Sequence, residues 1–573
     1  MLPPLASDRR PFTTAERLIL AASILLVWFL AWGHPLVPPD EGRYASVAAA
    51  MVDEGSWIIP EFRGEPHLTK PPLAYWLQAF AIRLIGHHEF AVRLPSLLAT
   101  SATLLLLAAF ARRTLGTRPA VLATAIAAVM PYTLIVGRLA NTDALLGLFW
   151  LAALAFGYRI MREPDRHRRD LRIDRLLFWS AIALGLLTKR EVALAPLLIL
   201  GCWTTLAARP RDLLRLAPAV GLPLAILPFA LWSTLVLLRH PEAAEIWWSE
   251  TIGRFTGEEH LRAEPWWFYI PFYLGGMFPA SAMLVLPLFN CSFRRAGRAF
   301  LQGDLRALGL WAILLPLVGF SLSTGKLATY LLPLAAPTAL LVAITLERWL
   351  RGTFDGERLE GYRPPDVRYT FAIAATLIFA VQMGGAIAVA EVVPELWALA
   401  LPLLIAPLGA IINWQFWRAG LASRERGVAV AWCGLAVSWT VIFAIQTRYG
   451  TPMGAPAMLA SVDRIMAIED PQVVTVDFSD ATIEFYNEGR ETLWAGSIAS
   501  LAKRTDLRLP AVVLVDLDRS EEEFETALDK APGLAQRLAP LGVWTRWFGK
   551  RTRILVLSED PHGGLPLPAA PQP

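Results

Sequence analysis

Between Leu18 and Gln446 the sequence is a succession of apolar runs, separated by short connections rich in arginine. A soluble core has no room for so many of them. A helix of about 20 apolar residues, however, satisfies its own backbone inside a bilayer, and a series of such helices is a membrane protein. Composition agrees: charged residues make up 18% and hydrophobic ones 55%, with a mean hydropathy of +0.45, well below the charge of an ordinary soluble domain. The net charge of +4 is too small to mark a nucleic-acid binder. The three cysteines, Cys202, Cys291 and Cys433, lie in or beside apolar runs without metal-ligand spacing.

The first run, Leu18 to Leu36, follows Arg9, Arg10 and Arg17, a flank that predicts a cytoplasmic N-terminus. It is longer than a signal-peptide core and lacks a small-residue cleavage site, so it is expected to stay as an anchor. Further spans are expected over Phe90–Ala111, Ala120–Val136, Ala144–Met161, Leu176–Leu187, Val192–Ala207, Leu216–Leu238, Trp266–Phe289, Leu308–Ser323, Tyr330–Leu346, Tyr369–Ala390, Leu396–Trp417 and Gly427–Gln446. With the first, the count is about 13. The run Leu73–Ile85 is short and carries Gln78 and Arg83, which suits a helix lying in the outer interface.

Parity supports that choice. With Leu73–Ile85 not crossing, Arg112/Arg113/Arg118, Arg162 to Arg175, Arg209/Arg211/Arg215, Arg294/Arg295/Arg298, Arg348 to Arg368 and Arg418/Arg424/Arg426 all fall on the cytoplasmic side. The outer side receives residues 37–72, hairpins near Asn141, Lys189 and Lys326, the acidic loop His240–Pro265 and everything after Thr447.

After Tyr449, Val473–Phe478, Ala511–Asp518 and Ile554–Ser558 read as strands, with a helical pattern over Glu521–Leu538. The expected fold class is therefore mainly α: a polytopic membrane domain over residues 1–448 with juxtamembrane helices on its outer face. A small extracytoplasmic α/β domain follows over 449–560, and a Pro/Gly-rich disordered tail over 561–573. No internal repeat is visible, which weighs against an inverted-repeat transporter.

The outer connections gather Asp40, Glu41, Arg43, Lys70, Asp143, Lys189, Arg190, Glu191, His260 and Lys326 at the ends of spans. Ionisable groups at membrane depth are costly, so a set of them on one side is a functional-site hypothesis. For any one residue the alternative is a headgroup-level anchor. Pro38 and Pro39 stop the first span just before Asp40 and Glu41, and Pro71 and Pro72 open the next helix behind Lys70. A lysine at a helix N-terminus is electrostatically awkward unless an anion shares the place. A phosphate would do so, and the planar fork of Arg43 suits the same ligand.

Other readings compete. Asp143, after Asn141 and Thr142, also reads as a helix cap, and Lys189, Arg190 and Glu191 as a locally paired hairpin. His260 reads equally as a plain loop histidine. Trp247/Trp248 and Trp266/Trp267 suit an interfacial aromatic belt better than sugar stacking.

Five motifs in order, PDEGRYA, KPPLAYW, GRLANTDALL, RFTGEEH followed by PWWFYIP, and FSLSTGKLATYLLP, resemble the bacterial aminoarabinose (lipid A) transferases and their relatives in the GT-C glycosyltransferase superfamily. The resemblance implies a multispan fold with an outer-facing cavity, a polyprenyl-phosphate sugar donor and a lipid or glycolipid acceptor in the outer leaflet. It also implies a monomer in the bacterial inner membrane. Position by position it makes Asp40 the catalytic acidic residue, Glu41 its companion and Asp143 a second acidic site residue. Arg43, Tyr44 and Lys70 correspond to donor-phosphate ligands, Lys326 to a further cation, and His260 and Tyr330 to cavity-lining residues. Two departures stand out. Thr69 occupies the position where relatives often carry a glutamate, which bears on any divalent metal bridged to His260. Thr188–Glu191 reads TKRE where many have TKGP.

The implied chemistry is a single displacement with inversion. Cations serve it best as the leaving phosphate gains charge, while Asp40 acts as general base toward a hydroxyl or orients an acceptor that is already ionised. The alternatives are protein O-mannosyl transfer, which shares a DE motif in the first outer loop, and a flippase that binds the same phosphate without cleaving it. Fold alone does not decide between them.

Overall fold

The computed structural model describes residues 10–162, 167–253, 264–285, 303–351 and, with interruptions, 428–558. Helices dominate its first part, and the contacts divide the chain into two units. One comprises residues 1–29, 68–74 and 95–443; the other comprises 30–67, 75–94 and 444–573.

In the first unit, α1 (Thr14–Trp28) starts at a capping box: the Thr13 hydroxyl accepts from the Glu16 amide while the Glu16 carboxylate accepts from Thr13 N. The helix stops at Trp28, well short of the expected Leu36. Helices α4 (Glu89–Leu115), which begins in the second unit, α7 (Asp143–Arg162) and α10 (Pro218–Arg239) are long and apolar enough to cross a membrane. So are the helix Leu305–Leu322 and the segment Ala328–Arg348. These make five such helices among the described residues.

The expected span Ala120–Val136 is broken. Its two parts, α5 (Thr117–Ala128) and the segment Pro131–Arg138 that opens with α6 (Pro131–Leu134), are bent by 65°, where Pro131 removes an amide donor and opens a new helical turn. Trp266–Phe289 is likewise interrupted, with helices over Tyr269–Gly276 and Ala280–Val285. The expected spans Tyr369–Ala390 and Leu396–Trp417 lie outside the described residues.

Helix α8 (Arg168–Lys189) packs between α7 and α10. Its approach to α10 is close enough that a Cβ on Gly221 would lie 1.9 Å from the Trp179 indole, so only glycine fits there. The same holds at Gly276 against the Tyr132 ring. Helix α9 (Ala195–Leu206) continues from α8 through a 3-10 turn over Arg190–Leu194.

The second unit contains α2 (Asp40–Asp53), a two-stranded hairpin of β1 (Glu61–Phe62) and β2 (Glu65–Pro66), and most of α3 (Leu73–Ile85). It also contains a five-stranded sheet formed by β3 (Gln472–Val476), β4 (Thr492–Ala495), β5 (Ala511–Asp516), β6 (Leu538–Thr545) and β7 (Arg551–Leu557), in the order β4-β3-β5-β7-β6. β3 runs parallel to both β4 and β5, and β7 antiparallel to β5 and β6.

The near-continuous apolar runs VVTV and AVVLV bury both faces of the sheet. Val474, Val513 and Leu555 point to one side, and Val473, Val512 and Ile554 to the other. On that second side Ile483 joins the core with Tyr486 packed against it, both from the short helix Thr482–Tyr486. The same helix packs on α2. Strands β4 and β6 are not among the sequence-based expectations; β4 carries only the short apolar signal TLWA.

Candidate active site

Asp40 and Glu41 open α2, where acidic side chains favour the positive end of the helix dipole. One residue of helical rotation sends them to different places. Asp40 is partly exposed and pairs with Arg43, one turn on, whose side chain is exposed to a similar degree. Glu41 turns inward. Its carboxylate accepts from Arg93 Nε and Nη2 and from the amide of Val37.

Arg93 in turn donates to the carbonyls of Ala31, His34 and Pro35, so one guanidinium ties the approach to α2 to its first turn. Tyr44, expected as a phosphate ligand, is buried with its ring stacked on Tyr75 at 5.3 Å. In this unit the arrangement leaves Asp40 and Arg43, a carboxylate and a cation side by side, on an otherwise closed frame.

The first unit holds a second group. Asp143 stands at the start of α7, but the cap is supplied by Asn141, whose Oδ1 accepts from the Asp143 amide at 2.9 Å. The Asp143 carboxylate is thereby available to Lys189 Nζ, with which it forms a buried ion pair. The same ammonium lies 4.2 Å from the centre of the Tyr330 ring. Lys189 is thus not confined to a local hairpin with its neighbours. It joins two of the expected site residues.

Next to it, Arg190 has φ +46°, in the left-handed region that favours glycine. Its guanidinium lies 3.4 Å from Glu191, and Glu191 accepts from Thr251 at 3.1 Å. The residue before Thr251, Glu250, pairs with Lys70 at 2.8 Å. Trp247, from the same segment, donates its indole N–H to the carbonyl of Leu68 at 2.7 Å and so steadies the backbone leading to Lys70.

Lys326 is placed differently from expectation. It is 4% exposed, and its ammonium donates to the carbonyls of Ser323 and Glu264, the latter at 2.8 Å. Burial pushes its pKa below the usual lysine value, against a smaller opposing pull from Glu264. Here Lys326 holds two backbone segments together. His260 lies outside the described residues. Among the described residues no three histidine, cysteine, aspartate or glutamate side chains gather as a metal-ligand set.

Sequence reasoning missed Arg93 and Glu250. Arg93 had a signal, an arginine four residues after Glu89 inside an apolar run. Glu250 had none beyond its place in an acidic loop.

A sequence family described as dolichyl-phosphate-mannose-protein mannosyltransferase matches residues 69–235. An undecaprenyl phosphate-alpha-4-amino-4-deoxy-L-arabinose arabinosyl transferase from Aeromonas salmonicida is 32% identical over 385 residues, covering 64% of this chain and 68% of the relative. Proteins of the same name from Pseudomonas fluorescens and Pseudomonas aeruginosa are 32% and 35% identical. The matches cover 58% and 56% of this chain, and the chain spans 60% and 57% of those relatives, less than two thirds of their length.

The fold is similar to the crystal structure of ArnT from Cupriavidus metallidurans bound to undecaprenyl phosphate, with a TM-score of 0.74 at 23% identity, covering 98% of this chain and 100% of that one. The apo form of the same protein gives 0.73 at 22% identity, over 95% and 98% of the two chains.

Proposed function

The chain belongs to the family of undecaprenyl phosphate-alpha-4-amino-4-deoxy-L-arabinose arabinosyl transferases, multi-pass membrane glycosyltransferases, and from that premise we propose that it moves an aminopentose from undecaprenyl phosphate to a lipid A-like acceptor in the outer leaflet. The observation that carries this reading is the division of labour at the start of α2: Asp40 keeps a partly exposed carboxylate beside Arg43, while Glu41 is sealed onto Arg93.

The bond that breaks joins the sugar C1 to the donor phosphate oxygen, and the bond that forms joins C1 to an acceptor oxygen on the opposite face. The departing phosphate gains about one negative charge, so a cation placed there binds the transition state more tightly than the ground state. Arg43 and Lys70 are assigned that task. Each is held ready by a carboxylate, Asp40 and Glu250 respectively, that a phosphate displaces.

Asp40 accepts the proton of a hydroxyl acceptor, or orients a phosphate acceptor that carries no such proton. Asp143 fixes Lys189 beneath the Tyr330 ring, and this trio lines the approach of the sugar. Glu41, Tyr44 and Lys326 are assigned to holding the frame, and His260 to the lining of the cavity. The proposed topology has 13 spans with a cytoplasmic N-terminus, and the sheet-bearing unit outside. Reporter fusions after Tyr449 should therefore give an extracytoplasmic signal, and a cytoplasmic one would overturn the sidedness.

The family description at residues 69–235 keeps one second reading open, transfer to a protein hydroxyl. Purified full-length protein, given undecaprenyl phosphate carrying a labelled aminopentose, is tested with a lipid A-like glycolipid, a Ser/Thr peptide, or no acceptor. Label on the glycolipid with release of free undecaprenyl phosphate is the expected result. Label on the peptide favours the second reading. Passage of intact donor across a vesicle wall without release of sugar overturns both in favour of a flippase.

A further inference from the structure

Three consecutive residues of the short helix Thr482–Tyr486 each hold a different segment of the second unit. Glu484 accepts from Arg63 Nε at 2.5 Å and so grips the turn of the β1–β2 hairpin. The carbonyl of Phe485 lies 2.8 Å from His87 Nε2 between α3 and α4, and the two rings meet at 4.1 Å with their planes tilted by 34°. The Tyr486 hydroxyl accepts from the amide of Leu36 at 2.8 Å and donates to Glu89 Oε1 at 2.9 Å. All of these residues belong to the same unit.

The two partners of Tyr486 are the ends of one construction. Leu36 lies four residues before Asp40, directly after His34 and Pro35, whose carbonyls Arg93 holds. Glu89 lies one helical turn before Arg93 on α4. Arg93 in turn fixes Glu41, the neighbour of Asp40. A single phenol thus bridges the chain entering α2 to the helix that anchors α2. Burial pushes the phenol pKa upward, so the hydroxyl stays protonated and keeps donating to Glu89 through the working range of pH.

We propose that Tyr486 is a positioning residue for the transfer reaction, setting Asp40 through the Leu36 amide and the Glu89–Arg93–Glu41 chain, and that the sheet-bearing segment after residue 470 serves catalysis by supplying it. This rests on the assignment of Asp40 as the catalytic carboxylate. A side chain that shapes the backbone under a reacting group acts mainly on turnover, because small displacements there cost rate and leave affinity for the rest of the substrate largely intact.

The test is a cycle of Tyr486→Phe, Asp40→Asn and the double variant in full-length protein, with kcat and KM for labelled donor and the melting temperature measured for each. Tyr486→Phe keeps the ring and removes both hydrogen bonds. It should lower kcat about ten-fold with KM for the donor within about two-fold and the melting temperature nearly unchanged, and it should add nothing further in the Asp40→Asn background.

Parental kcat in a folded Tyr486→Phe protein overturns the proposal. So does an equal loss of kcat in both backgrounds, since the effect would then not pass through Asp40. If Tyr486→Phe does not accumulate folded, Glu89→Gln, which weakens the same hydroxyl contact from its other side, is put through the same cycle with the same criteria. Failure of the underlying assignment is read separately: Asp40→Asn alone turning over at the parental rate removes Asp40 whatever Tyr486→Phe does.

Discussion

Arg93 grips Glu41 with a fork, Nε to Oε1 at 2.9 Å and Nη2 to Oε2 at 2.7 Å, and both side chains are only 1% exposed. Two charges so deeply withdrawn from water are tolerated because their remaining hydrogen-bonding capacity is used, on three backbone carbonyls and the Val37 amide. The pair thereby decides which of two adjacent acidic residues faces outward.

Removing one partner leaves the other charge buried and unpaired. Glu41→Ala and Arg93→Ala are each expected to destabilise by about 3–5 kcal/mol. Arg93→Lys, which keeps the charge and loses the fork, should recover only part of this. Melting temperatures of the purified variants check it, and a Glu41→Ala protein as stable as the parent would contradict the structural role.

Asp40→Asn preserves shape and removes charge and basicity. On the proposed role of Asp40, transfer should fall about 10²–10⁴-fold for a hydroxyl acceptor, with donor binding retained or strengthened, since a carboxylate no longer opposes an anionic donor. A phosphate acceptor predicts a shallower pH dependence. Parental rates from pH 5 to 9 would remove Asp40 from the reaction.

Lys70 and Glu250 should respond in opposite directions. With Lys70 on the donor phosphate, as proposed, Lys70→Ala is expected to weaken donor use about 10- to 100-fold. Glu250→Gln releases the ammonium from its carboxylate and should tighten binding of undecaprenyl phosphate. Equilibrium binding of the labelled lipid to both variants checks the pair, and a loss of affinity in Glu250→Gln would remove Lys70 from the phosphate site.

The carboxyl pair Glu54 and Glu61 gives the segment between α2 and α3 a pH signature. Burial first, then the hydrogen bond and the charge of Glu61, raise the Glu54 pKa above its ordinary 4.5. A carboxyl whose folded pKa is raised contributes stability that is full below the unfolded value and is lost as pH rises through the folded one. Glu61→Gln should therefore be slightly more stable than the parent at pH 7, by less than about 1 kcal/mol for groups this exposed. The gain should shrink toward pH 4. Thermal unfolding of both proteins across that range is the measurement, and a gain that grows on acidification would refute the coupling.

The motifs around Asp143 and Tyr330 were legible because each lies at the start of an apolar run long enough to cross a membrane, and those around Asp40 and Lys70 because a proline pair adjoins each of them. The pairing of Asp40 with Arg43 was not among the expectations, which gave Arg43 to a phosphate, although residues three apart share a helix face. The strands β3, β5 and β7 showed as short apolar runs. The break at Pro131 was only half visible: the proline was in plain sight, but the run around it was apolar enough to pass as one span.

What only the tertiary structure decided is the fate of each charge. Asp40 and Glu41 are adjacent and chemically alike, and nothing local says that one is partly exposed and the other sealed. That follows from Arg93, 52 positions away. Lys189 finds Asp143 across 46 positions, Lys70 finds Glu250 across 180, and Leu36 finds Tyr486 across 450. Periodicity and composition report the solvent each segment prefers, a local property averaged over a helical turn. The partner of a buried charge is set by which distant segments pack together, and a single hydrogen bond is too small a part of that packing to leave a mark in either chain segment alone.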